Sequence, residues 1–364
     1  MITGVEVKKM SILHPEYSIE LRGTMNALID RLVLQRSKGL NTLYHYTPSF
    51  EAVNGIMQNR QIWLTNIAYL NDVAELDYIK SLLNELGLCT EIREHLSKWQ
   101  PISAGFGTQI YVMSFSEKPD YLPLWATFTK MSGYCVGFDR LGLCSSVLSK
   151  TRLNIEAVRN TAVSYETIML QASGDKGSPD FQGAYGGEMY LGRVIYEKSV
   201  QIEIMNTVIK QAIDKFIAIS ESPDKNLAQN VAIINGKEIG RVKKDRLALE
   251  NAINKLFDQC AVLFKSDEFS YEHEWRLVKH MDTNNPNLLR SLFFVRENDN
   301  TLIPFVKMSL RNNLSFPINR IITAPLAISD TILPGLEFAL YNSGYNIGEN
   351  GVAIEKSKIN LRRF

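Results

Sequence analysis

The sequence predicts an α+β fold built on a mixed or antiparallel sheet. Runs of strand length, rich in apolar, β-branched and aromatic residues, alternate irregularly with segments of helical period. Two long amphipathic segments, 201–220 and 245–265, interrupt the strand series, which argues against a regular doubly wound sheet. Neither a GxGxxG nor a GxxxxGK(S/T) phosphate loop occurs, so the usual dinucleotide and nucleoside-triphosphate folds lose support.

Residues 17–38 carry Leu21, Met25, Leu28, Leu32 and Leu34 at near-helical spacing and are followed by the glycine of "KGLN". They predict an N-terminal helical segment over residues 1–40. "TLYHY" reads as a strand, and "TPSFEAVNGIMQN" as a helix with Thr47 at its N-cap, Pro48 in its first position and Glu51 in its first turn. "QIWLTN" is a second strand, and "NDVAELDYIKSLLNELGL" a helix capped by Asn71 or Asp72. Beyond a less patterned helical stretch at 90–100, "GTQIYVMSFSE" and "GYCVGFD" are strands flanking the helix "YLPLWATFTKM". "GRVIYE" and "EWRLVKH" add strands, and "RSLFFVR" with "TLIPFVKM" forms a hairpin around "ENDN". The polar segment 221–245 is a loop or linker, and "NRIITAP", "SDTILPGLEFALYNSGY" and "VAIEKSK" close the chain as strand, helix, strand.

The 364 residues are 45% hydrophobic and 22% charged, a globular composition with room for two domains at roughly 100–200 residues each. With 40 basic and 39 acidic residues, global charge carries no signature of a dedicated nucleic-acid binder and leaves room for a local basic patch. Cys89, Cys135, Cys144 and Cys260 form no CxxC pair, so neither a zinc site nor a disulfide framework is expected. The N-terminus lacks the pattern of a signal peptide and no run of 18 apolar residues occurs, which sets the expectation of a cytoplasmic protein.

Four features carry candidate chemistry. His45 stands between Tyr44 and Tyr46 in an apolar strand, either as a core histidine bonded to a backbone carbonyl or as a ligand-binding imidazole. In "FSYEHEWRLV", strand alternation puts Glu272, Glu274 and Arg276 on one face, with His273 and Trp275 on the other. These charges read as a solvated surface or, on a central strand, as paired groups lining a pocket. Ser114, Ser116 and Trp125 frame a cleft or fill a plain core. Asn71, Asp72 and Glu75 are a helix cap with dipole-complementing acids or part of a site. HExxH and GxSxG are absent, and no local sequence favours cysteine catalysis.

The ordered motifs "LYHYT", "QIWLTN" with "LND", "MSFS", "LWATFTKMSGYCVGFD" and "YEHEWRLV" resemble a bacterial family described only as a domain of unknown function, from about residue 42 to the C-terminus. The same order of parts is similar to the ADP-ribosyltransferase superfamily, in its histidine, tyrosine, glutamate branch. That resemblance implies a split sheet with a helical insertion around 200–265, in a catalytic domain covering 41–364. It implies NAD as co-substrate, no metal, and transfer of ADP-ribose to a protein or nucleic acid, or hydrolysis of NAD. His45, in the setting of Tyr46 and Thr47, would hold the nicotinamide ribose, and Glu274 would be the catalytic carboxylate. Tyr69 would stack on nicotinamide, with Trp63 or Tyr78 as alternatives. Arg276 would hold Glu274 ionised, contact a pyrophosphate, or pair structurally with Glu272 or Asp72. Asn71, Asp72, Ser116 and Trp125 complete the candidate NAD-binding set. A toxin or phage-defence effector fits this resemblance. The rival readings are a non-catalytic nucleotide or nucleic-acid sensor, and a nuclease with a metal between Asp72, Glu75 and Glu274.

Overall fold

The computed structural model describes residues 40–70, 75–88, 90–99, 108–140, 142–143, 184–186, 189–220, 253–254, 257–258, 260–282, 293–298, 301–309, 316–326, 331–348 and 351–361. The expected N-terminal helix, the segment 221–245, Cys89 and Cys144 lie outside them. In chain order the elements are β1 (Thr42–Thr47), α1 (Phe50–Asn59), β2 (Gln61–Asn66), α2 (Glu75–Leu82), α3 (Thr90–Ser97), β3 (Thr108–Ser116), α4 (Leu122–Thr129) and β4 (Tyr134–Asp139). They continue with β5 (Ala184–Gly186), β6 (Met189–Arg193), α5 (Lys198–Ser220), β7 (Glu274–Asp282), β8 (Phe293–Asn298), β9 (Thr301–Ser309), β10 (Ile318–Thr323), α6 (Ile332–Asn342) and β11 (Ala353–Lys356). This is an α+β fold with a mixed, mostly antiparallel open sheet.

The chain divides into two compact units. One comprises residues 1–33, 72–101 and 195–267. Its described part is helical and is tied by Gln201, whose fully buried amide takes the Tyr78 hydroxyl at 2.8 Å and donates to the carbonyls of Ile195 and Lys265 at 2.6 and 3.0 Å. Trp99 rests edge-on against Phe257 and donates to Asp258 at 2.8 Å. A buried indole needs such a partner for its N–H.

The other unit, residues 34–71, 102–194 and 268–364, holds the eleven strands found among the described residues. The order runs β11-β10-β4-β1-β3-β2-β9-β8, with β7 on β3 and β6 on β7. Among the described strands only β10 and β11 run parallel, as the strand, helix, strand pattern at the C-terminus predicts. Period-2 alternation gives the sheet two faces. On one, Leu43, Ile62, Leu64, Val136, Trp275, Leu277 and Ile321 pack with α1 and α6 through Val53, Met57, Leu336 and Leu340. On the other, Tyr44, Tyr46, Cys135 and Ile322 pack under α4 through Leu124 and Trp125.

One capping expectation is corrected. Ser49, not Thr47, caps α1 and accepts from the Ala52 N–H at 3.3 Å. The residue before a proline is driven toward extended backbone, so Thr47 stays in β1, where it is 3% exposed.

Gly133 fixes the junction between α4 and β4. Its φ is +98°, and a Cβ there would lie 2.8 Å from Pro48 Cα and closer still to the Thr47 carbonyl oxygen. Gly133→Ala is therefore expected to destabilise the protein by about 2 kcal/mol or more. Chemical denaturation of the two proteins checks this; an unchanged midpoint would refute the close approach.

Candidate functional site at a fork in the sheet

The site arises because two strands share one edge of β3. On its first edge β3 pairs with β7 in unbroken register, from Thr108 opposite Asp282 to Ser116 opposite Glu274. The second edge meets β1 only at Ser116 opposite Tyr44, and β2 only at Val112 and Tyr111 opposite Thr65 and Asn66. Between these contacts β1 and β2 diverge, and the Ser114 carbonyl faces no strand. The His45 imidazole takes that place, with Nδ1 2.9 Å from the Ser114 oxygen.

A carbonyl can only accept, so Nδ1 carries the proton and Nε2 is left with its lone pair. Burial holds the His45 pKa below the usual histidine value; the Ser114 carbonyl opposes this shift and the charge of Arg296 adds to it. His45 is thus neutral at physiological pH and is held in one tautomer. The hydrogen bond expected of a core histidine is present, yet the ring stays partly exposed and meets Phe115 edge-on at 6.1 Å.

A cleft of about 60 Å³ opens at this fork, lined by Tyr44, His45, Tyr46, Ser114, Phe115, Ser116, Leu124, Phe128, Glu272 and Glu274. Cross-strand register accounts for much of it, since Tyr44, Ser116 and Glu274 stand in one row across three strands. Glu274 and Arg276 share the face, as alternation requires, and form a fork-to-fork pair. Arg276 Nε and one Nη donate to the two carboxylate oxygens at 2.8 and 2.9 Å. Glu274 is 5% and Arg276 1% exposed, so both charges are held out of bulk water.

Alternation does not extend back to Glu272. A 3-10 turn spans Asp267–Glu272, and His273 takes a left-handed φ of 47° before β7 begins. Glu272 still lines the cleft, brought there by the turn. The Ser116 hydroxyl donates to the Glu272 carbonyl at 2.7 Å and accepts from the Lys118 N–H at 3.1 Å, which pins the turn to the end of β3.

Several sequence candidates lie apart from the cleft lining. Trp125 is fully buried, donates to Asp120 at 2.8 Å and meets Tyr46 edge-on at 4.8 Å; Leu124 and Phe128 of the same helix line the cleft instead. The Tyr46 hydroxyl donates to the Pro119 carbonyl at 2.6 Å and accepts from the Tyr121 N–H at 3.1 Å, and burial pushes its pKa far up. Tyr46 is thus a structural phenol in the cleft wall. Trp63 and Tyr69 are surface residues, 42% and 40% exposed, and Tyr78 belongs to the other unit. Asn71 and Asp72, and the side chain of Glu75, fall outside the described residues. The lining residues missed in the sequence are Phe115, Leu124 and Phe128, whose only signal is their position beside Ser114 and in the α4 segment.

Among the described residues, no group of three or more His, Cys, Asp or Glu could hold a metal ion. No helix among them is long and apolar enough to cross a membrane. Cys135 and Cys260 are buried, and burial pushes both thiols up, Cys260 to about 12, which suppresses the thiolate a nucleophile needs.

Removing one partner of a buried ion pair strands the other. Arg276→Met is expected to cost about 3–5 kcal/mol, and adding Glu274→Gln should return part of it. A double-mutant cycle by urea unfolding measures this, and strictly additive losses would contradict the pairing. His45 supplies a pH signature. Its folded pKa lies below the unfolded value of roughly 6.5, so the unfolded chain takes a proton first. Its contribution is therefore complete above about pH 6.5 and is lost as pH falls from there toward the folded value. His45→Asn keeps a donor for the Ser114 carbonyl but cannot titrate. It should lose less melting temperature than wild type between about pH 7.5 and 5; equal losses would argue against a depressed His45.

A family model described as "Protein of unknown function (DUF2971)" matches residues 124–277, a shorter span than the motifs suggest. No curated protein and no solved structure matches the chain. The matched stretch starts within α4 and ends in β7, so it takes in Phe128, Glu272, Glu274 and Arg276 and leaves His45 outside; over it the chain carries a DUF2971 domain.

Proposed function

We propose that the fork cleft receives the nicotinamide-ribose end of NAD and that the protein transfers ADP-ribose to a macromolecule or to water. The observation that carries this reading is that His45 and Glu274, from strands far apart in sequence, line one cleft. About 60 Å³ is small beside the roughly 300–1,000 Å³ of pockets that enclose a whole small molecule. The cleft would therefore grip one end of the dinucleotide and leave the rest along the sheet.

In this reaction the bond from the nicotinamide nitrogen to the ribose carbon breaks, and its electron pair leaves with neutral nicotinamide. The sugar is left with oxocarbenium character. A hydroxyl of the acceptor, or water, forms the new bond to that carbon and gives up its proton. Glu274 is the anion beside the developing positive charge, and it orients the ribose hydroxyls or takes the acceptor proton. Neutral His45 accepts a ribose hydroxyl at Nε2, while Tyr44 and Phe128 offer aromatic surface to the leaving ring.

A second reading is favoured by the bidentate Arg276 pair, which engages both Glu274 oxygens and suits recognition without turnover. Nicotinamide release from labelled NAD, measured on the wild type beside Glu274→Gln and His45→Ala, separates the two. The enzyme reading expects release that falls about 100-fold or more in Glu274→Gln, with the fold checked by circular dichroism. A rise in melting temperature with NAD but no release supports the binding reading. Neither release nor a shift would end both.

A further inference from the structure

The face that carries Ser114, Ser116 and Glu274 continues onto the outer strands of the sheet. Val112 stands opposite Thr65, Trp63 opposite Lys307, and Phe305 opposite both Thr65 and Phe294. Directly opposed residues share a face. Trp63, Phe305, Phe294, Lys307 and, two residues along β8, Arg296 therefore lie on the cleft side of the sheet.

Their arrangement is a platform. Phe305 is its buried floor, 4% exposed. Trp63 stacks against it at 4.6 Å and 29°, and Phe294 lies tilted against it 5.6 Å away at 31°. Lys307 Nζ sits 4.2 Å from the Phe294 centroid and 5.5 Å from that of Trp63. Arg296 lies 6.0 Å from the Phe305 centroid and donates to Thr65 Oγ1 at 3.0 Å. Among the described residues neither cation has a carboxylate partner.

Two observations ask for an occupant. Trp63 and Phe294 leave 42% and 37% of their surface in solvent, side by side on one sheet face, where single exposed aromatics would need no explanation. Among the described residues, the cations interleaved with them have no carboxylate partner. An apolar protein surface would satisfy the rings and bury the charges. A chain that alternates flat π-surfaces with phosphates satisfies both, because bases stack on the rings while Lys307 and Arg296 take the backbone. A duplex keeps its base faces stacked inside and offers only the phosphates.

We propose that the outer face of β2, β9 and β8, centred on Trp63, Lys307 and Phe294, binds single-stranded nucleic acid. The site goes beyond the NAD reading and stands without it. Where both hold, the bound strand lies on the same face as the cleft, and nucleic acid becomes the acceptor class.

The test is fluorescence anisotropy of the full-length protein with labelled DNA and RNA single strands of about 20 nucleotides, and with the duplex of the same sequence. Both single strands should bind more tightly than the duplex. Trp63→Ala and Phe294→Ala should each weaken binding about tenfold, the scale of a lost base stack, and Trp63→Phe should restore most of it. Lys307→Gln should weaken binding and lower the salt slope by about one. The three residues changed here are at the surface or half-buried, and circular dichroism confirms the fold of each variant. Absence of binding to either strand overturns the proposal, as does binding that Trp63→Ala and Phe294→Ala leave unchanged. Binding to phosphatidylserine vesicles instead of oligonucleotides overturns it in favour of a membrane surface.

Discussion

The rest of the site depends on one constraint, the sharing of a single β3 edge by β1 and β2. A strand has two edges, and β7 occupies the first along all nine residues. Two strands that meet the second edge at its ends must part in the middle. A parted ladder leaves a carbonyl without a strand partner, and a buried carbonyl without a partner is costly. His45 removes that cost with its side chain, and its tautomer and neutrality follow from the bond. The imidazole is therefore structural and chemically poised at once. Of the two readings of His45 that the sequence leaves open, the bond to the Ser114 carbonyl is the one the core reading expects, and ligand binding belongs to the proposal.

The Glu274–Arg276 pair is not explained by stability. Replacing a buried pair with apolar residues of similar volume is often neutral or stabilising, so its presence inside a strand otherwise filled by Trp275, Leu277 and Val278 points to a use for the charge. The strand is built to support it. Trp275, on the opposite face, is fully buried and donates to Glu117 at 2.9 Å, and Glu117 in turn pairs with Arg193 at 2.8 Å. The backbone that carries Glu274 is thus fixed from the far side of the sheet, which holds a carboxylate in place better than a loop would.

What the sequence made legible was period and local chemistry. The α+β class, the β8–β9 hairpin, the closing strand, helix, strand unit and the shared face of Glu274 and Arg276 all follow from alternation, turn residues and helical spacing. Thr47 as a cap did not, because its preceding-proline constraint competes with its capping preference and the strand won. Glu272 did not follow from alternation, because a left-handed His273 breaks the period just before the strand starts. Of the cleft's aromatic residues Tyr46 was named from the sequence, whereas Phe115 and Phe128 were illegible for a different reason. Tyr69 and Trp63 had the expected type near the expected motif, but which ring reaches a cleft depends on where β1 and β2 part along β3, and no local pattern encodes where two strands part on a third.

Net charge illustrates the same limit on the outer strands. A total of +1 says nothing about Lys307 and Arg296, whose weight lies in what surrounds them. The two faces of the sheet explain why that patch stays open. On one face α1 and α6 close a continuous apolar core, so its residues are spoken for by packing. On the other, α4 packs over β1, β4 and β10, and Val112, Arg276 and Val278 of β3 and β7 are buried too, whereas Trp63 and Phe294 farther out are exposed. Covering the remainder would stabilise the fold by burying Trp63 and Phe294, yet among the described residues nothing does so, and cations rather than small polar residues stand between the rings. That face carries Ser116 and Glu274 of the cleft, the Glu274–Arg276 pair and the open rings of Trp63 and Phe294, while His45 reaches the fork from β1, so the parting of β1 and β2 decides which side chains meet there.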